Sequence, residues 1–415
     1  MTTVYRPFPP LRRADVLALL QRPVADIAGL AALRGLLTQT PSPLAALAAI
    51  AKREEGFEKR FSARVLPSLV GHARALLENS TGEIELHVMG ERARTSVSRA
   101  DAAGWVAHMV LGTVPQPAPH HPHVDFALLL ERTRSADLAR LRCVLEYFDR
   151  IADGAPPGRL DFERIVAAPR DEEDWSEDTS PLTDFVLEPT GVIEDAQGHR
   201  QMDFANKYLG GGVLTHGCVQ EEIRFAVCPE LFVGMIVSPR MLDHEAIVLR
   251  GAERFAKTRG YAGSLRYDGP YHDPAPRFED GTPDVELVAI DALDFRSHKG
   301  NTLDQFSEAG MLRELNKARA GWRLDARALP VATGNWGCGA FLGNIPLKAV
   351  LQWIAASAER RAVRYYSFGD ERLGDLGAYL GPLRARYKTA GRLWEALRAA
   401  VQRKDGSLYE RLMGA

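Results

Sequence analysis

The sequence predicts an α/β fold preceded by an all-helical segment. Three observations carry this. At 415 residues the chain is long for a single core. Up to about residue 150, apolar residues recur at three- and four-residue spacing, the period of a helix. After residue 185, short β-branched runs alternate with amphipathic helical stretches. The predicted division is 1–165 for the helical part and 166–415 for the α/β part.

In chain order, ADVLALL, IAGLAALRGLL, SPLAALAAIAKREEGFEKRF, RVLPSLVGHARALLE, RADAAGWVAHMVLG and SADLARLRCVLEYFDRIA show the helical spacing. Asp15, Ser42 and Ser98 stand near the starts of such runs and predict N-caps. The Pro-rich stretch VPQPAPHHPHVDF (114–126) separates two helices, and DGAPPGRL followed by the acidic run 171–185 marks the boundary. Strands are then predicted at AIVL (246–249), VELVAIDAL (285–293), LPVATG (329–334) and AVRYYSFG (362–369). Helices are predicted at GMLRELNKARAGW (310–322) and IPLKAVLQWIAASAER (345–360), and again over the last forty-odd residues. VATGNWGCGAF (331–341) and SFGD (367–370) each close a predicted strand, where open α/β sheets place their ligand sites.

Composition excludes several classes. Lys+Arg 52 against Asp+Glu 54 leaves a net charge of -2, without the basic excess of a nucleic-acid binder. A phosphate-bearing ligand must be held locally. Cys143, Cys218, Cys228 and Cys338 show no CxxC pairing, which fits reduced thiols and a cytoplasmic protein. The N-terminal stretch lacks the apolar core of a signal peptide, and no run reaches the roughly 18 apolar residues of a membrane span.

The most informative stretch is GGGVLTHGCVQEEIRF (210–225). Glycines let backbone approach a ligand closely and adopt positive φ. Gln220 then opens a helix whose free amides favour an anion. An acidic pair in a first turn ordinarily complements the helix dipole, but the glycine run upstream favours a ligand. Adjacent helical residues point about 100° apart, so Glu221 and Glu222 do not flank a sugar from opposite faces. One is expected to act on the bond and the other to hold a hydroxyl. Two neighbouring carboxylates resist ionising together, which suits a proton donor.

GNWGCGAFLG (334–343) is a second glycine-rich loop, expected to cradle a diphosphate with Trp336 and Phe341 as walls. It matches neither the P-loop nor the GxGxxG spacing. MDFANKYL (202–209) places Asp203 and Asn206 just ahead of the triple glycine. His120, His121 and His123 lie in the Pro-rich loop without companion cysteines and are expected at the solvated surface, so no metal is assigned. Cys218 and Cys338 are expected as packing residues, not nucleophiles. GCVQE is not a GxSxG elbow.

Taken together, DFANKYLGGG, VQEEIRF, PELFV, LDHEAIVL, GYAGSLRY, VAIDALDFR, RELNKARAGW, VATGNWGCGAF and FGD resemble the poly(ADP-ribose) glycohydrolases in their longer, animal-like form. The likeness runs from about Trp175 to at least Trp394, and the helical part is similar to that form's accessory domain. It implies a macrodomain core, a mixed sheet flanked by helices, that binds ADP-ribose, acts on poly(ADP-ribosyl)ated proteins and serves the response to DNA damage. It also implies Glu222 as general acid/base, Glu221 as holder of the ribose hydroxyls, and Asp203 as support of the catalytic loop. Gly210, Gly211 and Gly212 would shape that loop, with Gln220, Asn206, Ile193 and Glu194 around the ligand. Asn335, Trp336, Gly337, Cys338, Gly339 and Ala340 would cradle the diphosphate beside Phe341. Tyr261 resembles the tyrosine that clasps the ligand, and Phe368 the ring that packs on adenine. Leu342 stands where the animal form has a further glycine.

The expected reaction is hydrolysis of ribose–ribose bonds without metal or cofactor, by a monomer that binds neither nucleic acid nor membrane. A non-catalytic ADP-ribose reader is the main rival, and a hydrolase of protein-linked mono-ADP-ribose the second. A reader needs the glycine loops but not the paired glutamates. The helical part is expected to carry no catalytic residue, and a folded chain starting near residue 165 to retain ADP-ribose binding.

Overall fold

Ser98 begins a helix as predicted: its hydroxyl accepts from the Asp101 N–H at 3.0 Å and caps Arg99–Leu111. The structure is a computed structural model that describes residues 3–5, 12–296, 304–323 and 325–414. By internal contact the chain forms two units. The first joins Met1–Glu163, Tyr208–Arg240 and Leu249–Val285, the second Arg164–Lys207, Met241–Val248 and Glu286–Ala415.

Among the described residues the strands are β1 (Thr3–Tyr5), β2 (Ile84–Leu86), β3 (Ala93–Ser98), β4 (Arg159–Val166), β5 (Phe185–Glu188) and β6 (Arg200–Asp203). They continue as β7 (Glu245–Arg250), β8 (Ala256–Arg259), β9 (Arg266–Pro270), β10 (Glu286–Ala289), β11 (Val331–Gly334) and β12 (Val363–Tyr366).

The first unit is mainly helical but not wholly so. β1 pairs antiparallel with β2, β8 antiparallel with β9, and β3 lies beside β4. β3 and β4 fall where only helices were expected. β4 alternates buried Leu160, Phe162 and Arg164 with more exposed neighbours, a period-two pattern in which an arginine occupies an inward position. Two of the three expected caps differ. Asp15 sits inside a first turn facing Arg12 at 3.1 Å, and the Ser42 hydroxyl accepts from Arg34 Nε at 2.7 Å. Asp26 caps Ile27–Thr38 instead, accepting from the Gly29 N–H at 2.8 Å. The stretch expected as one helix from residue 42 starts at Ala45, ends at Ala51 and resumes at Phe57 after a turn closed by Gly56, whose φ is +74°. His120 and His123 are exposed, but His121 is buried, because the chain turns inward at Val124 and Phe126.

Aromatic rings tie the stretches of this unit together. Phe126 meets Phe232 edge-on at 5.3 Å, and Tyr147 meets Phe255 at 4.7 Å. Arg99, fully buried, bonds Glu230 at 2.7 Å and Glu253 at 2.8 Å. Removing one partner of a buried ion pair costs about 3–5 kcal/mol. The expectation for a chain starting near residue 165 therefore changes. Such a chain lacks Arg99, Phe126 and Tyr147, the partners of Glu230, Phe232 and Phe255, so the segments 208–240 and 249–285 are expected to lose their fold; slow amide exchange in those segments would contradict these contacts.

In the second unit β10, β6, β11, β12 and β5 lie side by side in that order, all parallel. β7, through Glu245–Val248, continues beyond β10. The four predicted strand sites are occupied, the one at 285–293 only over Glu286–Ala289. β6 escaped prediction because Arg200 and Gln201 read as polar. Arg200 is in fact buried and bonded to Glu286, its register partner on β10, at 2.5 Å.

The helices Glu308–Trp322 and Ile345–Ala358 are capped by Ser307 and Asn344. The C-terminal helices are Leu376–Tyr387, Ala390–Gln402 and Leu408–Met413. Trp175, Trp322, Trp336, Trp353 and Trp394 anchor this core. Parallel strands deliver the loops after β5, β6, β11 and β12 to one edge of the sheet, where doubly wound folds place ligands.

Candidate active site

In the first unit the triple glycine forms a chain of tight turns. Gly211 donates to the Tyr208 carbonyl at 3.0 Å, Val213 to Gly210 at 3.1 Å, and both Thr215 and Gly217 to Gly212 at 2.8 and 2.9 Å. Gly210 and Gly211 have φ of +83° and +52°, a region that L side chains rarely enter. The turn brings backbone amides onto the carboxylates of the helix Gln220–Val227. Gly210 N–H donates to Glu221 at 2.7 Å and Gly212 N–H to Glu222 at 2.9 Å. The second oxygen of Glu222 accepts from the Val219 N–H at 2.8 Å, which also caps the helix.

Glu221 and Glu222 are only 2% and 6% exposed. Two carboxylates are thus held below the surface by amide donors, with one amide on each Glu222 oxygen fixing the carboxyl plane. A Cβ on Gly211 would lie 2.5 Å from Glu222 Oε1 and 2.6 Å from Glu221 Oε2. The glycine is therefore required by the closeness of both acids as well as by its dihedral. Gln220, partly exposed, opens the same helix.

Tyr261, also in the first unit, is 54% exposed in the turn between β8 and β9, where its N–H donates to Ser264 Oγ at 3.0 Å. Cys218 is partly buried, and burial raises its thiol above the ordinary range. This disfavours the thiolate a nucleophile needs.

In the second unit the remaining residues come from the common edge of the parallel strands. Asp203 ends β6 fully buried, with its carbonyl accepting from Ala205 N–H at 2.8 Å, and Asn206 follows partly exposed. Ile193 is buried with Ala196, Ala332 and Tyr366, against which Phe204 packs. The Glu194 carbonyl accepts from Gln201 at 3.3 Å. Asn335 is fixed from two sides, donating to the Ser367 carbonyl at 3.3 Å and accepting from Tyr365 OH at 2.8 Å.

The loop after Asn335 differs from expectation at Trp336. Its ring is buried, donates to the Ile290 carbonyl at 3.0 Å, and lies 3.4 Å from Lys348 Nζ. Trp336 is thus a floor beneath the loop and not a wall of it, since its large apolar face has more to gain from the core. Gly337 turns at φ +73° where a Cβ would strike Ala292 at 2.4 Å. Gly339 and Ala340 are exposed, and Phe341 is half-buried under Arg296. Cys338 is buried, its thiol pushed up to about 12 by that burial. Leu342 keeps the left-handed φ of +60° at the position where the related glycine would stand.

Phe368 is 47% exposed at φ +55° and stacks on Tyr366 at 6.5 Å. A left-handed non-glycine residue costs about 1–2 kcal/mol, and such strain clusters at ligand clamps. Phe368→Ala is expected to weaken ADP-ribose binding by about 1–3 kcal/mol, the value of a stacked base. An unchanged dissociation constant by calorimetry would remove Phe368 from the adenine contact.

Arg140 escaped sequence reasoning entirely. It lies on the helix Ser135–Arg150 and donates to carbonyls of the glycine turn. An arginine three residues after Asp137 on an otherwise apolar stripe was the available signal. Among the described residues no group of three His, Cys, Asp or Glu side chains is placed to hold a metal, and no helix is long and apolar enough to cross a membrane.

Two family descriptions match the chain: "Poly (ADP-ribose) glycohydrolase (PARG), helical domain" over residues 54–164, and "Poly (ADP-ribose) glycohydrolase (PARG), Macro domain fold" over 172–375. Poly(ADP-ribose) glycohydrolase 1 of Arabidopsis thaliana is 33% identical over 68% of this chain and 63% of its own length. Poly(ADP-ribose) glycohydrolase 1 of Caenorhabditis elegans is 36% identical over 69% of this chain and 37% of its own. Poly(ADP-ribose) glycohydrolase 2 of the same organism is 33% identical over 69% and 60%. The chain thus spans less than two thirds of the curated relatives it matches. With a helical part and a macro-domain part matched in order, the chain belongs to the poly(ADP-ribose) glycohydrolase family.

Proposed function

We propose that this protein hydrolyses the ribose–ribose glycosidic bonds of poly(ADP-ribose) and releases ADP-ribose. The observation that supports it most is the pair of buried carboxylates, Glu221 and Glu222, clamped by the amides of Gly210, Gly212 and Val219. A module that only reads ADP-ribose has no use for two buried acids.

Glu222 donates its proton to the leaving 2′-oxygen as the glycosidic bond breaks, and the anomeric carbon takes oxocarbenium character. The substrate's own diphosphate stabilises that charge. Water then adds to the carbon while the Glu222 carboxylate takes its proton, restoring the acid. Glu221 holds the ribose hydroxyls in position for this sequence. Asn335–Phe341 supply backbone amides for the diphosphate, while Tyr261 and Phe368 supply ring faces. No step calls on a cofactor. Poly(ADP-ribosyl)ated proteins are the proposed partners, met by a cytoplasmic monomer that clears polymer after DNA damage.

Product analysis on defined substrates tests this. Free ADP-ribose is expected from polymer, and the terminal protein-linked unit is expected to remain. Release from a singly modified protein but not from polymer would favour a mono-ADP-ribosyl hydrolase. Binding of ADP-ribose without any release would favour a reader.

A further inference from the structure

We propose that Arg140, on the helix Ser135–Arg150, is a positioning residue that braces the catalytic turn from behind. This rests on the assignment of Glu222 as the acid. The Arg140 guanidinium is buried and reaches three carbonyls of one turn: Gly212 at 3.2 Å, Val213, and Thr215 at 3.3 Å. Its other partner is Asp137 at 2.5 Å, which Arg134 also bonds at 2.7 Å. Burial alone would raise the Asp137 carboxyl, but Arg134 and Arg140 together hold it below the ordinary carboxylate range.

The geometry ties this ion cluster to the acid through a single residue. Gly212 offers its carbonyl to Arg140 and its N–H to Glu222. Further along the same turn, the Thr215 carbonyl is held by the same guanidinium. Buried carbonyls need donors. Only arginine carries several N–H groups in one rigid plane, whereas a lysine ammonium is a compact point donor on a flexible stem. Without the brace the Val213 carbonyl loses its charged donor, the turn is free to rotate, and the Gly212 amide no longer fixes the Glu222 carboxyl. The helix therefore contributes to the reaction without touching substrate.

The test uses Arg140→Met and Arg140→Lys in the full chain, with kcat and KM on polymer, thermal melting, and hydrogen exchange of the 208–222 segment. A misplaced acid should lower kcat by about 100-fold in Arg140→Met with KM nearly unchanged. Arg140→Lys should recover part of that loss. Exchange in the segment should become about tenfold faster while that of the remaining protein stays put. Wild-type kcat with wild-type exchange in Arg140→Met would overturn the proposal, as would a loss in KM alone. If Arg140→Met does not fold, unaltered kcat and exchange in Arg140→Lys overturn it equally. If the unmodified protein fails to cleave polymer, the functional assignment falls, and the exchange measurement alone decides the brace.

Discussion

Glu222→Gln is expected to lower polymer hydrolysis by at least about 10²–10⁴-fold, the range of general acid–base catalysis, while ADP-ribose affinity changes little. The substitution keeps the side chain's shape. Its amide oxygen still accepts one of the two backbone N–H bonds, from Gly212 or Val219. What it loses is a proton to give and a carboxylate to take one back. Because the proposed mechanism uses one group for both steps, the loss is expected in kcat. Glu221→Gln is also expected to lose activity, through ribose held in the wrong place. A folded Glu222→Gln protein that cleaves polymer at the wild-type rate would disprove the mechanism.

The second large effect is expected from Gly217→Ala, a change that adds one methyl group. A Cβ at residue 217 would lie 2.2 Å from Glu222 Oε1, 2.5 Å from its Cδ and 2.9 Å from its Cγ. The methyl group and the carboxyl cannot share that space, so the carboxyl must move. Glu222 is buried and clamped by two amides, so moving it also costs stability, and a lowered melting temperature is expected alongside the loss of rate in a protein that still folds. The reaction cannot absorb the displacement. Misplacement of about 1 Å costs about 100-fold in rate. Wild-type kcat in Gly217→Ala would show that the acid acts from another position than the one described.

These two predictions separate what could be seen in the sequence from what could not. The glycine run and the acid pair were legible together, because a triple glycine just ahead of an otherwise ordinary acidic first turn points to a ligand, and the structure places them within hydrogen-bonding reach of each other. The strands at 246–249, 329–334 and 362–369 were legible because their β-branched and aromatic residues stand out. β6 was not, because Arg200 satisfies its charge sideways on Glu286, and a buried ion pair looks like surface in one dimension. Trp336 misled for the opposite reason. An aromatic between glycines suggests a ligand wall, but a local pattern does not say which way a ring faces. The role of Gly217 and the position of Arg140 depend on contacts across 5 and 72 residues respectively, which periodicity cannot report.

The arrangement of the chain into units also bears on how the protein is made. The backbone passes from one unit to the other five times, after residues 163, 207, 240, 248 and 285. A ribosome delivers the helices of the first unit early, yet their partners around Phe232 and Phe255 emerge only after the chain has begun the second. At about 5–20 residues per second, roughly 6–24 s separate residue 163 from residue 285. Until Glu230 and Glu253 emerge within that interval, Arg99 has no acid to meet, and Phe126 and Tyr147 wait for the rings of Phe232 and Phe255. The buried Glu221–Glu222 pair lies in a unit that is complete only once residue 285 has emerged, and the nascent chain depends on remaining soluble until then.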